Sequence, residues 1–321
     1  MALVFALLLA ACAEPPCGPG VACTVAGAGV SGFNGEGLPA PEAWLYLPSG
    51  LALDPDGAPC VVDFNNMRVR CLADGRLVTR AGSGVHEYST PGAPWLQSPL
   101  ENPMDATWAP DGRLTVLPVH EHRVLVDDGA GRVEVYAGTG EQGYSGDGGP
   151  AVQATFSEPC GMAWAADESL WIADTLNGAV RRVAADGIVT TVVADVPGVQ
   201  RVRPGAGDEV LVVDAFGGRV LAAWPDGGTE VLAEGLEYPW SAVYGPDGAL
   251  YVAEGGASRV VRIDGAAVEP VFGTGEVGDD GDGGPATAAR LSWPADLLFL
   301  PDGTLLVADM QAGRVRAVGP D

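Results

Sequence analysis

The chain has 321 residues, with 42 Asp and Glu against 17 Lys and Arg, for a formal net charge of −25. A surface this acidic repels phosphate backbones and anionic headgroups, which argues against nucleic acid as a partner and against membrane binding through charge. The 47 Gly and 26 Pro, with only 18% charged residues, agree with a secreted, turn-rich β protein.

In chain order, the first element is an apolar run from Ala2 to Ala11, followed by small residues. It is too short to span a bilayer and reads as a signal peptide over residues 1–11. Leu9-Ala10-Ala11-Cys12 resembles the lipobox of bacterial lipoproteins. That resemblance implies lipidation of Cys12, with residues 12–20 as a short lipidated tether. Ala13 in the following position is similar to the pattern of outer-membrane sorting, and the expected location is the bacterial cell envelope. The membrane is then met only through the lipid anchor.

From residue 21 a repeat takes over. An acid is followed five residues later by arginine at Asp63 and Arg68, Asp214 and Arg219, Glu254 and Arg259, and Asp309 and Arg314. Degenerate copies stand at Pro118 with Arg123 and at Asp174 with Ala179. The first positions are about 55, 56, 40, 40 and 55 residues apart, near the ~40–45 of four-stranded propeller blades. Within each unit, short apolar runs are broken by turns such as Pro55-Asp56-Gly57 and Ala73-Asp74-Gly75, which reads as four antiparallel strands. The fold class is therefore all-β, a six-bladed β-propeller over residues 21–321. The last unit stops after its third strand, so residues ~21–27 are expected to supply the missing fourth and to remove the open sheet edges.

Trp171-Ile-Ala-Asp-Thr-Leu-Asn177 and Leu306-Val-Ala-Asp309, each with an arginine and valine nearby, resemble the strand signature of NHL-repeat propellers. The Gly-Asp-Gly-Gly-Pro-Ala loops ending at Ala151 and Ala286 look like those of bacterial members. This resemblance covers residues 21–321 and implies the fold; it does not choose among the family's binding modules, sensors and lyases.

The hairpin register places Asp63 opposite Arg68 and Cys60 opposite Cys71, where a cross-strand disulfide is geometrically reasonable. Cys17 and Cys23 are close enough to form a small loop, and Cys160 has no obvious partner. The repeated acid and arginine should face each other across a turn and serve structure, since they belong to the blade template.

Function is expected where the template breaks, on the face carrying the second-to-third-strand turns and the long interblade loops. Four of the six connections are long, so the rim is tall on one side and low on the other. Two constellations stand out. His120-Glu121-His122 occupies the turn of blade two where Pro118 replaces the acid, and His120 and His122 could hold zinc if His86 swings onto the same rim. Two residues beyond each strand opening, near the channel mouth, stand Gly50, Asp105, Gly161, Arg201, Ser241 and Asp296. Asp105, Arg201, Ser241 and Asp296 beside Trp240 and Trp293 would make a polar, aromatic-walled ligand pocket. Gluconolactonase-like propellers hold a divalent ion at this place, which makes Asp105 and Asp296 candidate metal ligands.

The expected function is a non-enzymatic binding platform that recognises an envelope protein, peptide or glycan on its loop-rich face. It is expected to act as a monomer without an obligatory cofactor. The alternative is a metal-dependent hydrolase or lyase at the channel mouth.

Overall fold

The computed structural model describes residues 17–320. Residues 1–16, which include the leader and Cys12, lie outside the described part. Six antiparallel sheets radiate from a central axis, each entered by an innermost strand: Pro48–Leu53, Pro103–Trp108, Gly161–Trp164, Val199–Pro204, Pro239–Tyr244 and Pro294–Phe299. Each blade is four-stranded, and blade one gains a two-residue fifth strand, Leu38–Pro39, against its outer edge. The protein is thus an all-β, six-bladed propeller, and no helix among the described residues is long and apolar enough to cross a membrane.

A blade has a neighbour on either side, so both its faces are buried. This is why Val, Leu and Ala fill the strands. Between blades two and three, Leu117, Phe156, Met162 and Ile172 interdigitate out of water. Each such side chain contributes about 1.5–3 kcal/mol by leaving solvent.

The ring closes through its ends. Strand Ala22–Ala26 pairs antiparallel with Arg314–Val318 and completes blade six. A Cys17–Cys23 disulfide and a hydrogen bond from the Gly20 N–H to the Gly319 carbonyl hold the approach to this strand. Cys17 is buried, while Gly18 and Pro19 stay exposed. Cys60 and Cys71 stand opposite each other in register and are bonded. Cys160 is a buried free thiol, packed with Met104 and Val119.

Two backbone devices shape the functional face. The register slips by one residue after the opening position, between Pro48 and Gly50, Pro103 and Asp105, Val199 and Arg201, Pro239 and Ser241, and Pro294 and Asp296. These bulges re-aim the side chain that follows. In the same turns, Leu47, Asn102, Glu158, Tyr238 and Trp293, each immediately before a proline, adopt left-handed backbone with φ of 44–64°. That conformation is uncommon for non-glycine residues, and its repetition makes it part of the blade design.

Candidate functional site

The channel position begins with Asp105, Arg201, Ser241 and Asp296, all buried. The bulges aim them at one another. Arg201 Nη1 lies 3.2 Å from Asp105 Oδ1 and 3.8 Å from Asp296 Oδ2. Arg203 enters from the same strand, two residues on, and places Nη1 2.9 Å from Asp105 Oδ2 and Nη2 2.6 Å from Asp296 Oδ2. The Ser241 hydroxyl donates to Asp296 Oδ1 at 2.6 Å, while the Leu51 and Met162 N–H groups donate to Asp296 and Asp105. Gly161 lets the strands crowd here, since a Cβ would stand 2.8 Å from Arg201 Cα.

Two carboxylates and two guanidiniums therefore neutralise each other across blades two, four and six. Burial raises the Asp296 pKa, but Arg203 and Arg201 outweigh it and hold the carboxyl below its ordinary value. Burial likewise opposes the Arg203 charge, and Asp105 and Asp296 more than offset it, so its pKa lies above the ordinary arginine value. The donor set does not fit a divalent ion, because arginines already claim these oxygens and would repel it. The expected metal pair Asp105 and Asp296 is instead half of a buried ionic plug. Arg203 went unrecognised in the sequence, although its i+2 spacing from Arg201 on one strand face was the available signal.

The repeated acids and arginines also divide differently from the template. Asp63 faces Arg68 in register, and Asp309 faces Arg314. Yet Asp63 pairs with Arg70 at 3.3 Å, Asp174 with Arg181 at 3.2 Å, and Asp309 lies 4.0 Å from Arg316. Only Asp214 with Arg219 and Glu254 with Arg259 pair directly across the turn, at 2.8 and 2.6 Å.

The long loops explain the difference. Arg181 also grips Asp147, Arg316 grips Asp282, and Arg70 donates to the Gly35 carbonyl. An arginine seven residues after the acid thus clamps a long loop to its blade in blades one, three and six. Leu221 and Val261 take this place in blades four and five, where the connections are short. In blade two the acid has moved from Pro118 to buried Glu121, which pairs with Arg123 at 2.7 Å and accepts from Ser89 N–H and Oγ of the diverged loop.

His120 and His122 separate. His122 Nδ1 accepts the Glu158 N–H at 3.1 Å. His120 turns instead toward His86, and both rings meet Glu101 and Asn102: His86 Nε2 lies 2.8 and 2.9 Å from Glu101 Oε1 and Asn102 Oδ1, and His120 Nδ1 lies 3.2 Å from each.

On the low side of the rim, Trp240 and Trp293 stand apart from the plug as members of an aromatic arc. Phe216, Tyr238, Trp293 and Trp240 follow one another with ring centroids 5.6–5.7 Å apart. Phe216 is 70% exposed. Gly255 gives the two indoles room, since a Cβ would meet Trp293 and Trp240 at 3.1 and 3.2 Å.

A model of the teneurin NHL domain matches residues 19–228. Teneurin-m of Drosophila melanogaster is 27% identical over 343 residues, covering 85% of this chain and 12% of that protein. The chain therefore spans only a small part of the teneurins it matches. Among solved structures, an auxiliary nutrient binding protein from Bacteroides ovatus superposes with a TM-score of 0.69 at 12% identity, over 94% of this chain and 76% of the other. A gluconolactonase from Xanthomonas campestris gives 0.61 at 14%, over 85% and 86%. At these identities the solved structures speak to the fold alone. The family match runs from the closing strand into the fourth blade, across the blade signatures and long loops described above, and by it the chain belongs to the teneurin NHL domain family.

Proposed function

We propose that this propeller is a non-enzymatic binding platform of the bacterial cell envelope, anchored through Cys12, whose loop-rich face recognises a protein, peptide or glycan. The observation that carries this reading is the arc of Phe216, Tyr238, Trp293 and Trp240, a continuous aromatic surface on the low side of the rim where short connections leave it open. Aromatic rings offer flat apolar faces to sugar rings and to side chains of a partner at little entropic cost. Nearby, the ionic plug turns its charges inward, and Arg201 and Arg203 already hold the carboxylates of Asp105 and Asp296. The two disulfides suit an oxidising compartment.

The test is a comparison of wild type and Phe216→Ala on glycan and peptide arrays, followed by titration of the hits under tryptophan fluorescence. Phe216 is exposed, so its loss leaves the fold intact. The reading expects at least one ligand class to bind wild type and to weaken about tenfold or more in the variant. Equal binding by both proteins would move recognition away from this arc.

A further inference from the structure

The fourth strand of a blade lies at the outer rim of the ring, with one row of backbone groups facing away from the blade. In four blades a long interblade loop lays an extended stretch along that row. The Gly37 N–H donates to the Leu77 carbonyl in blade one, the Gly92 N–H to the Val133 carbonyl in blade two, the Gly148 N–H to the Val189 carbonyl in blade three, and the Gly283 N–H to the Ala22 carbonyl in blade six. An acid of the loop adds to the cover: Glu36 accepts the Thr79 N–H at 3.1 Å, and Asp282 accepts the Thr24 hydroxyl at 2.6 Å.

Blades four and five have short connections, and among the described residues nothing covers their outer strands, Thr229–Glu234 and Ala267–Phe272. Register identifies the outward groups. Leu77 pairs with Leu72, and Thr79 with Arg70 just past the bulge. Thr229 and Val231 hold the same two places in blade four, opposite Ala223 and Leu221, as do Val268 and Pro270 in blade five, opposite Ile263 and Val261. The blade-five edge is therefore blunted, because Pro270 has no N–H to offer. Blade four has no such guard: Thr229 and Val231 present their N–H and carbonyl groups to solvent, and Val231 is 49% exposed. A groove of about 390 Å³, lined by Val231, Leu232, Ile263 and Val268, lies beside the strand.

We propose that the edge Thr229–Glu234 takes up an extended peptide segment of a partner protein as a fifth strand, in the way the loops complete the other blades. The Thr229 and Val231 carbonyls accept its N–H groups, their own N–H groups donate to its carbonyls, and side chains on one of its faces enter the groove. Charge selects the peptide. Glu230, Glu234 and Glu269 stand exposed on the two bare strands, neither of which contains Lys or Arg, so the fitting segment alternates apolar with basic residues. The same acids argue against a second copy of this chain, whose edge would bring its own Glu230 and Glu234 and a net charge of −25. The site lies on the outer rim and does not rest on the aromatic arc.

The probe is a fluorescein-labelled peptide of alternating Val and Arg, as long as the six-residue strand, titrated with the disulfide-intact protein and followed by fluorescence anisotropy. It should bind saturably at one equivalent. Val231→Pro, which gives blade four the guard that blade five already has, should weaken binding about tenfold or more. N-methylation of the peptide's own amides should do the same, and that change leaves the protein's folding untouched. Glu230→Gln combined with Glu234→Gln should weaken binding about tenfold and flatten its salt dependence; thermal melts check that the variants fold. Phe216→Ala should bind the peptide as wild type does, and a loss there would put the peptide on the aromatic arc and overturn the assignment. Absence of saturable binding, or equal binding by wild type and Val231→Pro, would also overturn it. So would a dimer in sedimentation that Val231→Pro abolishes, since the edge would then belong to a second copy.

Discussion

Arg181 Nη1 stands 3.2 Å from Asp174 Oδ2, with both side chains shut away from water, while Nη2 of the same guanidinium holds Asp147 at 2.7 Å. One cation thus ties the acid of a blade to the loop passing over it. Removing the arginine strands a buried carboxylate, a change that typically costs about 3–5 kcal/mol. Arg181→Ala is therefore expected to lower stability by that order. Arg219→Ala should cost less, because the Arg219 side chain is 37% exposed and water can replace it beside the buried Asp214. Urea denaturation of the two variants measures both, and equal losses would contradict the assignment of the clamp.

The same pairing has a pH signature. Burial raises Asp63 to about 6 and Asp309 to about 7, from an ordinary 3.8. The folded protein therefore holds these protons more tightly than the unfolded chain. Their contribution to stability is full below about pH 4 and is lost as pH rises through about 6 and 7. Asp296, held low, acts with the opposite sign and only below its ordinary value. Asp309→Asn keeps an acceptor for the Ser292 N–H but cannot ionise. Its urea midpoint should fall less between pH 5 and pH 8 than that of wild type, and a parallel fall would refute the assignment.

The plug at the axis predicts unequal costs for its parts. Arg203→Ala leaves Asp105 and Asp296 with Arg201 alone and should destabilise by about 3–5 kcal/mol. Ser241→Ala removes one hydrogen bond to a charged group and should cost about 1.5–3 kcal/mol. A double-mutant cycle between Arg203 and Asp105 should show coupling. Additive losses would mean that the two do not form a unit.

Two disulfides staple the first blade and the closure. Cys60 and Cys71 are 11 residues apart and Cys17 and Cys23 are 6, loops for which cross-linking stabilises by about 2–3 kcal/mol. Cys71→Ser and Cys23→Ser should each lower the unfolding midpoint accordingly. Free-thiol counting on the denatured, non-reduced protein should find Cys60 or Cys17 newly reactive in the respective variant, alongside Cys160.

Much of this architecture was legible because it is local and repeated. Spacing of the acid positions gave six blades, the turn around Asn65 gave the register that joins Cys60 to Cys71, and the truncated last unit pointed to the closing strand. Partner choice was not legible. Which arginine meets Asp63 depends on whether a long loop lies above the blade and needs holding, a relation between segments far apart in sequence. The convergence of His86 on His120 was foreseen only as a condition, and the separation of His122 came from the Glu158 N–H of the next blade. Arg203 was missed because it lies two residues beyond the position, filled in blade four by Arg201, that the strand openings mark around the ring.

The pairing of Ala22–Ala26 with Arg314–Val318 also sets an order of events. Almost the whole chain lies between these two strands, so the first to leave the ribosome waits for the last. Blades one to five can each form from neighbouring sequence, whereas blade six cannot. Joining the ends is then the slow, final step, because contacts so distant in sequence carry the largest loop-closure cost. Until it occurs the ring is an open arc with two bare sheet edges, and anything that intercepts the early strand keeps the protein in that state.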